Sequence, residues 1–97
     1  MNRENILAAL QSLKPEFEKF GVQHVGLFGS YLRNEQTEKS DIDLLIDFIP
    51  EKETFDNLMA VYDLLEDHFQ QYKIEVVTKN GLSPYIGPKI LKDVMYA

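Results

Sequence analysis

Three carboxylates and a Gly-Ser pair are the residues of this chain best suited to chemistry. Asp41 and Asp43 stand two apart in the run Asp-Ile-Asp-Leu-Leu-Ile-Asp. Successive side chains of an extended chain alternate faces, so both carboxylates project from one side of a strand, about 6.5 Å apart. Two such charges repel unless a cation lies between them. Mg²⁺ is the natural partner, since it binds through one or two carboxylates together with phosphate oxygens and waters. Ten residues separate Asp41 from Gly29-Ser30, which closes another apolar run at a point where the backbone must turn. A turn there leaves bare N–H groups and a small hydroxyl, a setting that favours an anion such as phosphate. Together the two features predict a metal-dependent site for a nucleoside triphosphate.

Each piece also has a plainer reading. A Gly-Ser junction between strand and helix is commonly a turn with an N-cap, and Asp-x-Asp alone fits a solvated edge strand or capping residues. Glu75 stands among Ile74, Val76 and Val77, where an unpaired buried carboxylate costs several kcal/mol, on the order expected for an isolated charge, and calls for a metal or a nearby cation. Asp47 shares the face of Asp43 but lies about 13 Å farther along the strand, too far to grip the same ion. Arg33 has three open readings: a phosphate contact, a partner for a catalytic carboxylate, or a surface ion pair with Glu35. His24 and His68 receive no role. Lys89 and Lys92 are read as terminal-helix lysines complementing the helix dipole, with a triphosphate contact as the rarer case.

The elements that position these groups follow from periodicity. Ile6, Leu7, Leu10, Leu13 and Phe17 recur at helical spacing, and Pro15 kinks that helix or starts a second one at Lys14-Pro15. Gly21 closes the helical region. Val22 to Phe28 predicts a strand that delivers Gly29-Ser30 to a helix with Tyr31 to Asn34 as its first turn, and Glu35 to Ser40 is an exposed polar loop. A central strand begins at Asp41 and ends before Pro50. Thr54 caps a helix with Phe55, Leu58, Met59, Tyr62, Leu65 and Phe69 on its core side. Tyr72 to Thr78 is the third strand, Asn80-Gly81 turns out of it, and a last helix over Lys89 to Met95 is anchored by Ile90, Leu91 and Val94. The fold class is therefore α/β or α+β: one domain over residues 1–97, with a small mixed sheet of three or four strands flanked by helices.

Composition bounds the function. The 97 residues are 44% hydrophobic and 27% charged, an ordinary globular balance, and contain no cysteine, which removes disulfides, thiolate metal sites and thiol nucleophiles. No apolar run reaches the roughly 20 residues that span a bilayer, and no basic segment leads into an apolar one at the N-terminus. A cytoplasmic protein without membrane contact is expected. The formal charge of −6 argues against direct binding to nucleic acid. Glu51 to His68 holds six acids and one base, either a solvated helix face or a docking surface for a basic partner.

Gly29-Ser30, ten residues, Asp41-Ile42-Asp43 and then Glu75 on a later strand resembles the nucleotidyltransferase fold of the DNA polymerase β superfamily. Closer still, Gly-Leu-Phe-Gly-Ser-Tyr-Leu-Arg-Asn-Glu, Ser-Asp-Ile-Asp-Leu-Leu-Ile and Val-Val-Thr-Lys-Asn-Gly-Leu-Ser-Pro-Tyr-Ile are similar to the minimal nucleotidyltransferases of HEPN/MNT toxin–antitoxin pairs. The resemblance implies Mg²⁺-dependent transfer of AMP from ATP, using two ions, to a tyrosine hydroxyl of a cognate HEPN ribonuclease toxin, which is thereby silenced in a hetero-oligomer. It places Gly29 and Ser30 on the triphosphate, with Arg33 nearby, and makes Asp41, Asp43 and Glu75 the catalytic, metal-binding triad. Two positions depart from the usual pattern: Glu75 stands where Asp is common, and Asn34 where Gly often follows the arginine. Two rival functions remain at this stage. One is a non-catalytic antitoxin that occludes its toxin, and the other is a transferase acting on a small hydroxylated molecule, for which a short chain is expected to lack a second, pocket-forming domain unless a dimer supplies one.

Overall fold

The computed structural model describes all 97 residues. Asn2 opens α1 (Arg3–Ser12) with a reciprocal cap: its side chain accepts the Asn5 amide at 2.8 Å, and the Asn5 side chain accepts the Asn2 amide at 3.3 Å. Two of the donors that a helix start leaves unpaired are satisfied in this way. Pro15 lies in the first turn of a separate α2 (Lys14–Lys19), where its missing N–H is harmless. Gly21, at φ 82°, then turns the chain into β1 (Val22–Phe28).

After α3 (Gly29–Leu32) and the polar loop come β2 (Ile42–Phe48), a 3₁₀ turn at Pro50–Lys52 and α4 (Phe55–His68), capped by the Thr54 hydroxyl on the Asn57 amide. β3 (Ile74–Thr78), α5 (Gly87–Asp93) and the two-residue β4 (Met95–Tyr96) complete the chain. The four strands lie in the order β3-β2-β1-β4. β1 is antiparallel to both its neighbours, whereas β2 and β3 run parallel, joined by α4 as the crossover helix. The expected mixed sheet is thus four-stranded, with β2 inside it.

One face of the sheet carries the core. Val25, Leu27, Ile42, Leu44, Ile46 and Phe48 pack against Ile6, Leu10 and Phe17 of the first two helices and Val61, Leu65 and Phe69 at α4. The opposite face of β2 presents Asp43, Leu45 and Asp47. Leu45 is fully buried yet lies outside that cluster, and α5 stands over this second face, with Gly87, Pro88 and Leu91 bordering a hollow shared with Gln23 and Asp47. No helix is long and apolar enough to cross a membrane.

Three expectations need correction. The buried stripe of α4 runs through Val61 and Leu65, while Phe55 is 74% exposed and Met59 41%. Phe55 is the first residue of the helix, beyond the edge of the sheet that the stripe covers. The last helix begins two residues earlier than Lys89, because Pro88 is well tolerated in a first turn, and Leu91 is 40% exposed rather than an anchor. Met95 belongs to β4, which pairs with Gly26 and Leu27. Two residues are too few to display alternation, and their partners lie some seventy positions upstream, so no local signal announces this strand.

Val61→Ala removes two fully buried methyl groups and is expected to cost roughly 2 kcal/mol, transfer and cavity terms combined. Phe55→Ser should change stability by no more than about 0.5 kcal/mol. Urea unfolding midpoints of the two variants check this, and equal losses would contradict the packing of α4.

Candidate functional site

Gly29 sits at the hinge between β1 and α3 with φ 78°, a left-handed conformation that disfavours any side chain. A Cβ there would also run into the Asp43 carboxylate. Glycine is therefore required twice over, once by the backbone and once by the closeness of Asp43. Helix α3 starts at Gly29 itself rather than at Tyr31 and ends at Leu32 with Arg33 as its cap, because Asn34 adopts φ 59°. That conformation explains the Asn34 departure from the family pattern. Gly and Asn are the residues that most readily enter the left-handed region, so one stands in for the other.

The sheet register then assembles the acids. Phe28 of β1 lies opposite Asp43 of β2, and Asp43 lies beside Glu75 of β3. Phe28, Asp43 and Glu75 thus form one row across three strands, with neighbours about 4.8 Å apart. Asp41 precedes β2, which starts at Ile42, where the Ile42 amide donates to the Lys73 carbonyl at 2.8 Å. Burial pushes the Asp43 carboxyl up to about 6, helped by the charges of Glu75 and Asp41 and by a hydrogen bond that the protonated Asp43 donates to Glu75, and opposed by the charge of Arg33. The three predicted carboxylates are electrostatically one cluster. Glu75 itself is exposed, contrary to the expectation of a buried charge. β3 is an edge strand, so water rather than a cation already relieves the cost of its charge.

Hard oxygen donors crowded until the carboxyl of one is raised to about 6 are the donor chemistry that suits a divalent cation. No group of three acidic or imidazole side chains converges tightly enough to form a closed cage. An open set of carboxylates fits Mg²⁺, which keeps several waters and takes further ligands from substrate phosphates. None of Asp41, Asp43 and Glu75 makes an ion pair within the protein. Asp47, by contrast, is engaged by Gln23 at 3.3 Å, His24 at 3.1 Å and Lys79 at 4.0 Å. It ties the far ends of three strands together and stands apart from the cluster.

Arg33 forms an ion pair with Glu35 at 2.7 Å, and its charge still reaches Asp43. It also borders a cavity of about 220 Å³ beside Gly29, walled by Phe28, Ile86 and Ile90 and by Lys89 and Asp93. The sequence reads Lys89 as a terminal-helix lysine that complements the dipole. It lies instead in the first half of α5, facing the cavity next to Gly29. Nearness to the end of the chain suggests a helix terminus, and only the placement of α5 beside Phe28 and Gly29 brings Lys89 to the cavity.

A family model described as nucleotidyltransferase domain matches residues 4–96. A protein adenylyltransferase named MntA from Thermococcus cleftensis is 35% identical over 96 residues, covering 96% of this chain and 93% of its own. A Methanocaldococcus jannaschii protein named as a candidate protein adenylyltransferase is 41% identical over 80 residues, 81% of this chain and 80% of that one. A solved structure described as a candidate minimal nucleotidyltransferase superposes with a TM-score of 0.83 at 27% identity, over 98% of this chain and 95% of the other.

The crowding of Asp43 has a measurable cost. A carboxyl raised in the folded state contributes stability that is complete below its ordinary value of 3.8 and lost as pH rises through about 6. Asp43→Asn removes that loss, so the variant should be more stable than the parent above pH 7, by about 1 kcal/mol after screening by solvent. The gap should close near pH 4. Urea midpoints at the two pH values test the sign, and a variant destabilised at pH 7.5 would contradict the cluster.

Proposed function

This chain belongs to the nucleotidyltransferase domain family and is an enzyme of that class, and from that premise we propose that it transfers AMP from ATP to a tyrosine hydroxyl of a HEPN-type toxin. The observation that carries the reading is the row of Asp43 and Glu75 set against Gly29, with Asp41 adding its charge to the same cluster. A protein acceptor is favoured by the relatives named as protein adenylyltransferases.

In this reading Gly29 and Ser30 hold the triphosphate at the start of α3, where a side chain on residue 29 would collide with Asp43. Asp41 and Asp43 are the groups that would hold Mg²⁺, with Glu75 completing the set. The cation supplies charge neutralisation for the α-phosphate and the leaving group. The acceptor oxygen forms a bond to the α-phosphorus while the bond from that phosphorus to the bridging oxygen breaks. The electron pair leaves with pyrophosphate, and the hydroxyl proton passes to the Glu75 carboxylate or to water. Glu75 is well suited to receive it, because it is exposed at the sheet edge where a large partner can approach. No covalent bond to this chain is formed.

The test combines the chain with ATP, Mg²⁺ and the product of a neighbouring HEPN-type gene, followed by intact-mass spectrometry of the partner. Mass increments of one or more adenylyl groups are expected on tyrosine. Changing Asp41 and Asp43 together to Asn should reduce transfer by at least about 10³-fold, the loss of several kcal/mol of transition-state stabilisation, while leaving the fold intact. An unmodified partner with folded enzyme would refute the reading. Full neutralisation of the toxin by the double-Asn variant would support occlusion by binding instead.

A further inference from the structure

The cavity beside Gly29 has a defined position relative to the carboxylates. In the row across the sheet, Asp43 stands between Glu75 on one side and Phe28 on the other, and Phe28 and Gly29 form the wall of the cavity. Glu75 and the cavity therefore lie on opposite sides of Asp43. An in-line displacement at phosphorus has the same polarity, with the entering oxygen and the leaving oxygen on opposite sides of the reacting atom. If the acceptor's proton goes to Glu75, the pyrophosphate leaves toward the cavity.

The cavity is furnished for that ligand. Two cations border it, and they are not equivalent. Arg33 is held by Glu35 at 2.7 Å, whereas Lys89 has no ion-pair partner, even though Asp93 lies one helical turn away on the same wall. The Lys89 ammonium borders the cavity next to Gly29 and makes no ion pair within the protein. Its charge is free for an anion that arrives with the substrate, and developing charge on a leaving group is where a positioned cation contributes most. Resting on the function proposed above, we infer that Lys89 holds the β- and γ-phosphates of the nucleotide and neutralises the departing pyrophosphate, in the cavity formed by α5 against Phe28 and Gly29. Lys92, on the same helix, borders none of this cavity and serves as the internal comparison.

The experiment measures binding by isothermal titration calorimetry, in the presence of Mg²⁺, of ATP, inorganic pyrophosphate and AMP to the full chain. Lys89→Met is expected to weaken ATP and pyrophosphate about tenfold, the equivalent of about 1.4 kcal/mol, and to leave AMP within twofold. Lys89→Arg should keep ATP within about threefold of the parent, and Lys92→Met should match the parent for all three ligands, consistent with the charge-only role. Undiminished ATP affinity in Lys89→Met overturns the inference. So does a parallel loss of AMP, which would mean that Lys89 supports the site's shape. A parent chain that binds neither ATP nor pyrophosphate overturns both this inference and the proposed function, whereas a parent that binds ATP but fails to modify any partner overturns the proposed acceptor alone.

Discussion

The approach of Gly29 to the Asp43 carboxylate is the constraint on which the rest of the site depends. It joins a left-handed turn at the end of β1 to a half-buried acid in the middle of β2, and it leaves no room for even a methyl group between them. This contact holds the start of α3 against the carboxylate cluster, so that the backbone of the Gly29-Ser30 turn and the carboxylate oxygens share one small volume. The antiparallel register of β1 on β2 maintains the contact, and that register is in turn secured by the alternation that sends Leu27, Leu44 and Ile46 into the core. A slip of one residue would bury the acids and expose the core.

The site is held at an energetic cost that the scaffold offsets elsewhere. Three carboxylates lie together without a cation from the protein, and one of them is driven toward its protonated form by burial and by its neighbours. The opposite face of the same strand is apolar and fully buried, and it is sealed by the first two helices and α4. The strand is thus anchored by one face and reactive on the other. The charge crowding that weakens the free protein is the donor chemistry that suits a divalent cation, whose charge would relieve it.

Helix α5 gives the open face its asymmetry. It crosses that face so that one side borders the cavity at Gly29 and the other a hollow near Asp47. The acids at the two ends of the face therefore have different fates. Asp47 is held by contacts with Gln23, His24 and Lys79, which makes it a fastening between strand ends, while Asp43 has no ion-pair partner in the protein.

Much of this was legible in the residues themselves. Alternation in β1 and β2, the Thr54 cap and the stop at Pro50 all operate over a few positions, and the spacing of Gly29-Ser30 from Asp41 and Asp43 singled out residues that the fold brings together. The exposure of Glu75, the unpaired state of Lys89 and the strand at Met95–Tyr96 were not legible, because each depends on what lies beside it in space. A carboxylate in an apolar run looks buried until its strand proves to be at an edge, and a lysine near a terminus looks decorative until its helix folds back over the site. The types and spacing of the reactive groups were set by the sequence alone. Which of them meet, and on which side of Asp43 the cavity opens, was decided only by the order and register of four strands, since those pairings join residues that the chain itself keeps far apart.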